Sequence, residues 1–314
     1  MDPVIPSVAS VTVAFNGARV LGRQIDALLQ QTFPLQEIIV VDNASTDGTA
    51  AMLAERYPQV TLLRMPENQG QAGGWSAGLS YAALKQRYDW IWTFDNDSAP
   101  QPEALERLLK GVETISVTDS AVGMAAGILV HGESGTGYLP FLWRDGLVKP
   151  SAEQAGQPVW FADTVIASGC LIRRDTVEAV GLPRADFFID LCDFEYCLRI
   201  RSHGYKIAVV NGVKIDHEIG SARKVRLLGS WRLWASQPPF REYYYSRNLA
   251  YLAWWLHPNF RTKRFVALHL FRHALGVILF SSNKLACIKK MAQGFLDGRR
   301  AILGMRLRPG DATS

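Results

Sequence analysis

The chain has 314 residues, 48% of them hydrophobic and 20% charged, with a formal net charge of +5. That length can bury a large core, as one domain or as one domain plus an appendage. Its four cysteines, at 170, 192, 197 and 287, include no C-x-x-C pair, which argues against a zinc ribbon or a disulfide framework and fits a reducing compartment. The charge is uneven. Residues 226–314 hold 15 Lys and Arg against 3 Asp and Glu, whereas the first 225 hold 19 against 26. The N-terminal Met-Asp-Pro-Val-Ile-Pro lacks a basic segment, so no signal peptide is expected.

In chain order, Val8 to Phe15 is rich in β-branched residues and predicts a first strand, broken by Asn16-Gly17. Leu21, Ile25, Leu28 and Leu29 predict a helix ending before Phe33-Pro34. A second, buried strand is expected over Glu37–Asp42, opening into Asp42-Asn-Ala-Ser-Thr-Asp-Gly-Thr49. There Ser45 or Thr46 can cap a helix over 50–57. A third strand follows over 60–64. The stretch from Glu67 to Trp75 is glycine-rich and predicts a loop running into a helix that reaches Arg87. Trp90 to Phe94 predicts a buried strand, and a further helix is expected from Glu103 to about Thr114. This alternation predicts an α/β fold with a mostly parallel, doubly wound sheet. The first strand-to-helix turn carries no G-x-G-x-x-G, and no G-x-x-x-x-G-K-[ST] occurs. That counts against a dinucleotide-binding dehydrogenase and a P-loop NTPase.

The strand ending at Phe94 runs into Asp95-Asn96-Asp97-Ser98. Ligands of open α/β sheets bind beyond the carboxyl ends of the strands. Two carboxylates there suit Mg²⁺ or Mn²⁺, with an Asx turn as the plainer alternative. Residues 131–158 predict a long loop. Val165 to Ile172 predicts a strand whose Ser168 and Gly169 allow a ligand close to the backbone or mark a bulge. Asp193 starts a helix running to His203, stopped by Gly204, as either a cap or a base held ionised. Glu195 and Arg199 stand four apart on that helix and can pair. Two short strands are expected over 206–210 and 213–215, and His217 then stands at a strand end as a possible third metal ligand.

Together these stretches resemble the inverting family 2 glycosyltransferases of GT-A fold, over roughly residues 8–225. The resemblance rests on Val41 to Thr49, Asn68 with its glycines, Asp95-Asn96-Asp97, Asp193-Phe-Glu195 and His217. Phe188 to Arg199, Asp95 to Ser98 and His217 to Gly220 are similar to runs in bacterial rhamnosyltransferases. The Asn68-to-Trp75 loop resembles galactofuranosyltransferases, and Tyr244 to Asn248 resembles both groups. Asn96, where galactofuranosyltransferases commonly carry Asp, favours rhamnose over galactofuranose.

The resemblance implies a nucleotide diphospho-sugar donor and a glycan or glycolipid acceptor. Asp42 is implied at the base or ribose, and Asp95, Asp97 and His217 at a divalent metal. Asp193 is implied as the general base. Further substrate contacts are expected from Asn68, Gly70, Gly74, Trp75, Asn96, Ser168, Gly169, Glu195 and Arg199. Competing readings are a non-catalytic scaffold that binds nucleotide sugars, and a nucleotidyltransferase, for which Asn16 to Arg19 is a poor match.

A catalytic domain over 1–225 and a helical, basic and aromatic region over 226–314 are expected. No stretch of that tail reaches the roughly 18 apolar residues of a spanning helix. Its helices suit an anionic bilayer surface, or alternatively a homo-oligomer interface. No nucleic-acid motif occurs, and His269 with His273 lacks further nearby zinc ligands. The expected location is cytoplasmic, peripheral on the inner face of the plasma membrane.

Overall fold

The computed structural model describes residues 5–116, 121–131, 136–138, 140–217, 222–227, 230–235 and 237–308. They fall into two compact units. The first lies within 1–143, 148–185 and 193–218, and the second within 144–147, 186–192 and 219–314.

The first unit begins with β1 (Val8–Ala14), α1 (Leu21–Leu29), β2 (Glu37–Asp42), α2 (Thr49–Arg56), β3 (Thr61–Arg64) and α3 (Gly70–Leu79). After a π-helical turn over Ser80–Lys85 come β4 (Trp90–Asp95), β5 (Ser98–Pro100), α4 (Ala104–Ser116) and β6 (Val122–His131). The short elements β7 (Thr136–Tyr138), β8 (Leu142–Trp143), β9 (Leu147–Val148) and α5 (Ala152–Ala155) occupy the stretch expected to be loop. Then follow β10 (Val159–Ala162), β11 (Cys170–Arg173), α6 (Arg174–Val180), α7 (Cys192–Ser202) and β12 (Lys206–His217).

The sheet runs β10-β12-β6-β11-β4-β1-β2-β3, with β5 on β12 and β7 on β6. β1 pairs in parallel with β2 and β4, as β12 does with β6. β11 is antiparallel to both of its neighbours, so the sheet is mostly parallel rather than wholly so. Alternate side chains of a strand face opposite sides. Ala9, Val11, Val13, Ile39, Val41 and Ile91 accordingly fill one core, while Val8, Ile38, Trp90, Trp92 and Phe94 fill the other. That two-sided burial is why these strands are apolar without alternation.

Several local expectations are corrected. Helix α3 starts inside the glycine run, because Gly74 and Gly78 let it press onto β1. A Cβ on Gly78 would lie 2.2 Å from Val11 Cγ1, and one on Gly74 would lie 2.5 Å from Val13 Cγ1. Neither Ser45 nor Thr46 caps α2; its N-cap is Gly48, left-handed at φ 88°. The two strands expected over 206–215 are one, β12, bulged where Gly212 takes φ +83°. Strand β11 begins only at Cys170, because Gly169 at φ +77° turns the chain first.

The second unit holds a hairpin of β13 (Ala222–Leu227) and β14 (Ser230–Ala235), then α8 (Pro239–Tyr251) and a π-helical turn over Leu252–Leu256. It ends with α9 (Phe260–Phe280) and α10 (Lys284–Arg299). The expected helices are present, and the hairpin precedes them. Glycines bring the helices together: a Cβ on Gly294 or Gly298 of α10 would lie 2.1 Å from a carbonyl oxygen of α8.

The Tyr244-to-Asn248 stretch acts here as a clamp. Arg247, fully buried, donates to the carbonyls of Asp186, Phe187 and Gly304. The Asn248 amide reaches those of Phe187, Ile189 and Asp190. Between them they hold a segment in which Phe188, Asp190 and Leu191 all take positive φ, near 62°, a conformation that persists only when its surroundings fix it.

Candidate active site

Strands β2, β4 and β12 end at one edge of the sheet, each in a polar residue: Asp42, Asp95 and His217. The turn after β4 adds Asp97, and β5 then returns antiparallel to β12, pairing Ser98 with His217. One ligating atom each from Asp95, Asp97 and His217 fall within 4.8 Å of one another.

Each member of this triad is held by named groups. The Asp95 N–H donates to Ser168 Oγ at 3.1 Å, and Gln71 Nε2 donates to Asp95 Oδ1 at 2.5 Å. Gln24 donates from α1 to the Asp95 carbonyl. Ser168 Oγ donates to Ser98 Oγ at 2.7 Å, and Ser98 Oγ lies 2.7 Å from His217 Nδ1. His217 Nδ1 is also 3.2 Å from Asp97 Oδ1, an ion-pair distance. Burial opposes a charge on His217, yet Asp97, Asp95 and Asp216 outweigh it and push the imidazole above its ordinary value.

The donor set fits a hard divalent cation. It offers two carboxylates and an imidazole, and the buried Asp97 Oδ1 faces His217 Nδ1 at 3.2 Å. A carboxylate oxygen buried in this way is costly unless positive charge meets it. A proton on His217 partly answers the same field.

The loops after β1 and β2 are stitched beside the triad. The Asn16 N–H donates to Ser45 Oγ, the Gly17 N–H to Thr49 Oγ1 and the Ala18 N–H to Asp47. Burial is the largest single influence on the Asp47 carboxyl and raises it, but Thr49 and the N–H groups of Ala18 and Thr49 together more than reverse this and hold it below its usual range. Asp42 is 1% exposed and accepts from the Ser45 N–H. Asn68 accepts from the Gly70 N–H, and Gly70 takes φ +73°. Asn43 links β2 to α3, accepting from the Gln69 N–H and donating to the Gly70 carbonyl. Asn96 packs so close to Gly17 that a Cβ there would meet its amide at 2.6 Å.

Other expected contacts lie in the core. Trp75 is 2% exposed and meets Tyr196 edge-on, and Gly74 faces β1. Glu195 is buried and accepts twice from Arg199, at 2.8 and 3.0 Å, while Arg199 also donates to the carbonyls of Val180 and Leu182. These four residues are occupied with packing and pairing.

Asp193 is different. It is half-buried in the first turn of α7, where it accepts from the Phe194 N–H. The fully buried Cys170 thiol is pushed well up, first by burial, then by Cys197, Asp193 and Asp95. Asp193 and Asp95 thus both lie within electrostatic reach of one thiol at the start of β11. Glu218 to Gly220, part of the rhamnosyltransferase-like run, lie outside the described residues.

Sequence reasoning missed Gln24, Asn43, Asp47 and Gln71. Gln24 left a signal: it is a polar residue on the apolar face of α1, between Leu21 and Leu28, and is 1% exposed.

The family model described as glycosyl transferase family 2 matches residues 10–178. Among known proteins, the chain is 28% identical over 273 residues to the dTDP-rhamnosyl transferase RfbF of Shigella flexneri, covering 85% of this chain and 87% of that one. It is 28% identical over 255 residues to the galactofuranosyltransferase GlfT1 of Mycobacterium tuberculosis, covering 78% and 82%. In fold it is similar to GalNAc-T7, crystallised with UDP, GalNAc and Mn²⁺. That match has a TM-score of 0.60 and 17% identity, over 96% of this chain and 57% of that one. It is also similar to residues 1–349 of TarS from S. aureus in complex with UDP, at a TM-score of 0.57 and 13% identity, over 94% and 83%.

Proposed function

This chain belongs to glycosyl transferase family 2, and from that premise we propose that it moves L-rhamnose from dTDP-rhamnose onto a lipid-linked or lipopolysaccharide glycan, with inversion and with a divalent metal. The observation that carries this reading is the convergence of Asp95, Asp97 and His217 at the carboxyl edge of the sheet, with one ligating atom of each within 4.8 Å of the others.

Asp95, Asp97 and His217 would hold Mn²⁺ or Mg²⁺. When bound, such an ion would supply Lewis-acid stabilisation of the negative charge on the departing nucleotide. Asp42 and the stitched Asn16–Thr49 loops receive the base and ribose. Gln71 and Ser168 keep Asp95 aimed at the diphosphate, and Ser98 keeps the His217 ring in place. Asp193 accepts the proton of the acceptor hydroxyl as its oxygen bonds to the anomeric carbon. The bond from that carbon to the diphosphate oxygen breaks on the opposite face. One displacement inverts the centre and needs no enzyme nucleophile.

Galactofuranose is the second reading, favoured by the Asn68-to-Trp75 loop and by the match to GlfT1. The partner class is a glycolipid presented at a membrane surface, on the cytoplasmic face. Incubating the chain with Mn²⁺, a membrane glycolipid fraction and either dTDP-rhamnose or UDP-galactofuranose tests the reading. Label should move from dTDP-rhamnose, with the anomeric configuration reversed. Transfer from UDP-galactofuranose alone replaces the sugar, and a retained configuration overturns the mechanism.

A further inference from the structure

Helix α9 is apolar on both sides, which a helix packed on one face of a water-soluble fold is not. Its inner side packs normally. Val266 joins Leu249 and Ala253, Val277 joins Cys287 and Met291, and Gly276 meets the Trp234 ring. Its outer side exposes Leu268 (49%), Phe271 (61%), Leu275 (43%), Ile278 (48%) and Leu279 (53%). Their spacing of three and four residues makes one continuous stripe. Exposed apolar stripes of this kind mark interaction surfaces.

The charge around the stripe says what covers it. From Tyr243 to Leu296 there is no Asp or Glu, and there are eight Lys and Arg. Arg264 and Arg272 stand four residues either side of Leu268, and Arg261 stands one turn further back; all three are exposed. A symmetric contact between two copies sets the same patch against itself. Arg261 has Asp145 at 3.7 Å, but the contact would press Arg264 and Arg272 together with no carboxylate in the stretch to pair them. An anionic lipid surface supplies the missing sign and takes the apolar side chains below its headgroups. Among the described residues no helix is long and apolar enough to cross a membrane, so α9 lies along the surface.

We propose that the outer face of α9 is a docking surface for an anionic lipid bilayer, with Phe271, Leu275 and Ile278 entering the interface and Arg261, Arg264 and Arg272 on the headgroups. This gives a site to the membrane-surface reading above, and rests on that reading only for the acceptor's location.

The test is sedimentation of the full chain with vesicles of phosphatidylcholine and phosphatidylglycerol, against vesicles of phosphatidylcholine alone. Binding should require the anionic lipid and weaken with salt. Phe271→Ser with Leu275→Ser should lower the partition coefficient tenfold or more, with melting temperature and sedimentation coefficient in solution unchanged. Arg261→Gln, Arg264→Gln and Arg272→Gln together should lose most of the preference for anionic vesicles, which keeps the test decisive if the apolar variant misfolds. Equal binding by wild type and both variants overturns the proposal. So does a dimer in solution that the apolar variant dissociates, since the stripe then belongs to a second copy. Mn²⁺-dependent nucleotide-sugar binding by the same variants separates the two readings: docking can fail while the donor still binds, and the reverse.

Discussion

The two units treat their polar and apolar groups in opposite ways. At the carboxyl edge of the sheet, acidic side chains converge and are held by partners from several elements. Asp95 alone takes partners from α1, α3 and the turn before β11. In the second unit, a stretch without a single carboxylate leaves a helix face of leucine, isoleucine and phenylalanine in solvent. The first arrangement fixes the positions of its side chains, as chemistry on a sugar requires. The second fixes only a surface. One chain thus separates the precision of a reaction from adhesion to the place where the reaction occurs.

The sharpest way to break that contrast is at Asp193. Removing a general base typically costs about 10² to 10⁴ in rate. Asp193→Asn is expected to bind nucleotide sugar and metal as the parent does, yet transfer hundreds to thousands of times more slowly in single-turnover kinetics. A loss confined to donor affinity assigns Asp193 to binding instead.

Glu195 draws the line between reaction and packing two residues further on. Its carboxylate is committed to Arg199. Glu195→Gln is expected to cost roughly 1.5–3 kcal/mol of stability through the weakened charged pair, read by denaturant unfolding, and to retain more turnover than Asp193→Asn. Gly298→Ala sharpens the other side of the comparison. Its Cβ would lie 2.1 Å from a carbonyl oxygen of α8, which backbone cannot easily yield. Overpacking of this kind costs about 1–3 kcal/mol, and nucleotide binding at the triad should persist below the lowered melting temperature.

The smallest effect is at Asp47. Its folded value is depressed, so its hydrogen bonds stabilise the fold above the ordinary carboxylate range and are lost as pH falls through the lower folded value. The Asp47→Asn variant should therefore show a flatter stability-versus-pH curve below about pH 4. An unchanged acid limb means that the stitched loops carry no such linkage.

Much of this was legible in the residues. β2 and β4 are read from apolar runs that end in aspartate, because burial on both faces removes any alternation. The triad is read because strand ends are where such sheets bind. The failures have physical causes. β6 was missed because Gly123, Ala125, Ala126 and Gly127 carry no branched signal. They are small because neighbours press on them: a Cβ on Gly123 would meet Thr176 at 2.5 Å, and one on Gly127 would meet Val213 at 2.7 Å. For the same reason the glycines of α3 look like a loop and are a helix face. Trp75, expected at the substrate, is instead buried edge-on against Tyr196. The hairpin over 222–235 was missed because its basic and aromatic residues were read as helix faces, although Gly229 between the strands is a turn signal.

The central claim is that Asp95, Asp97 and His217 hold a metal that anchors the donor's diphosphate. Titrating dTDP into the full chain by calorimetry, with Mn²⁺ and then with EDTA, tests it most directly when wild type is set beside Asp97→Asn. The account predicts tight binding only for wild type with Mn²⁺, and a loss of at least tenfold on chelation or substitution. Equal affinity in all four titrations would contradict it.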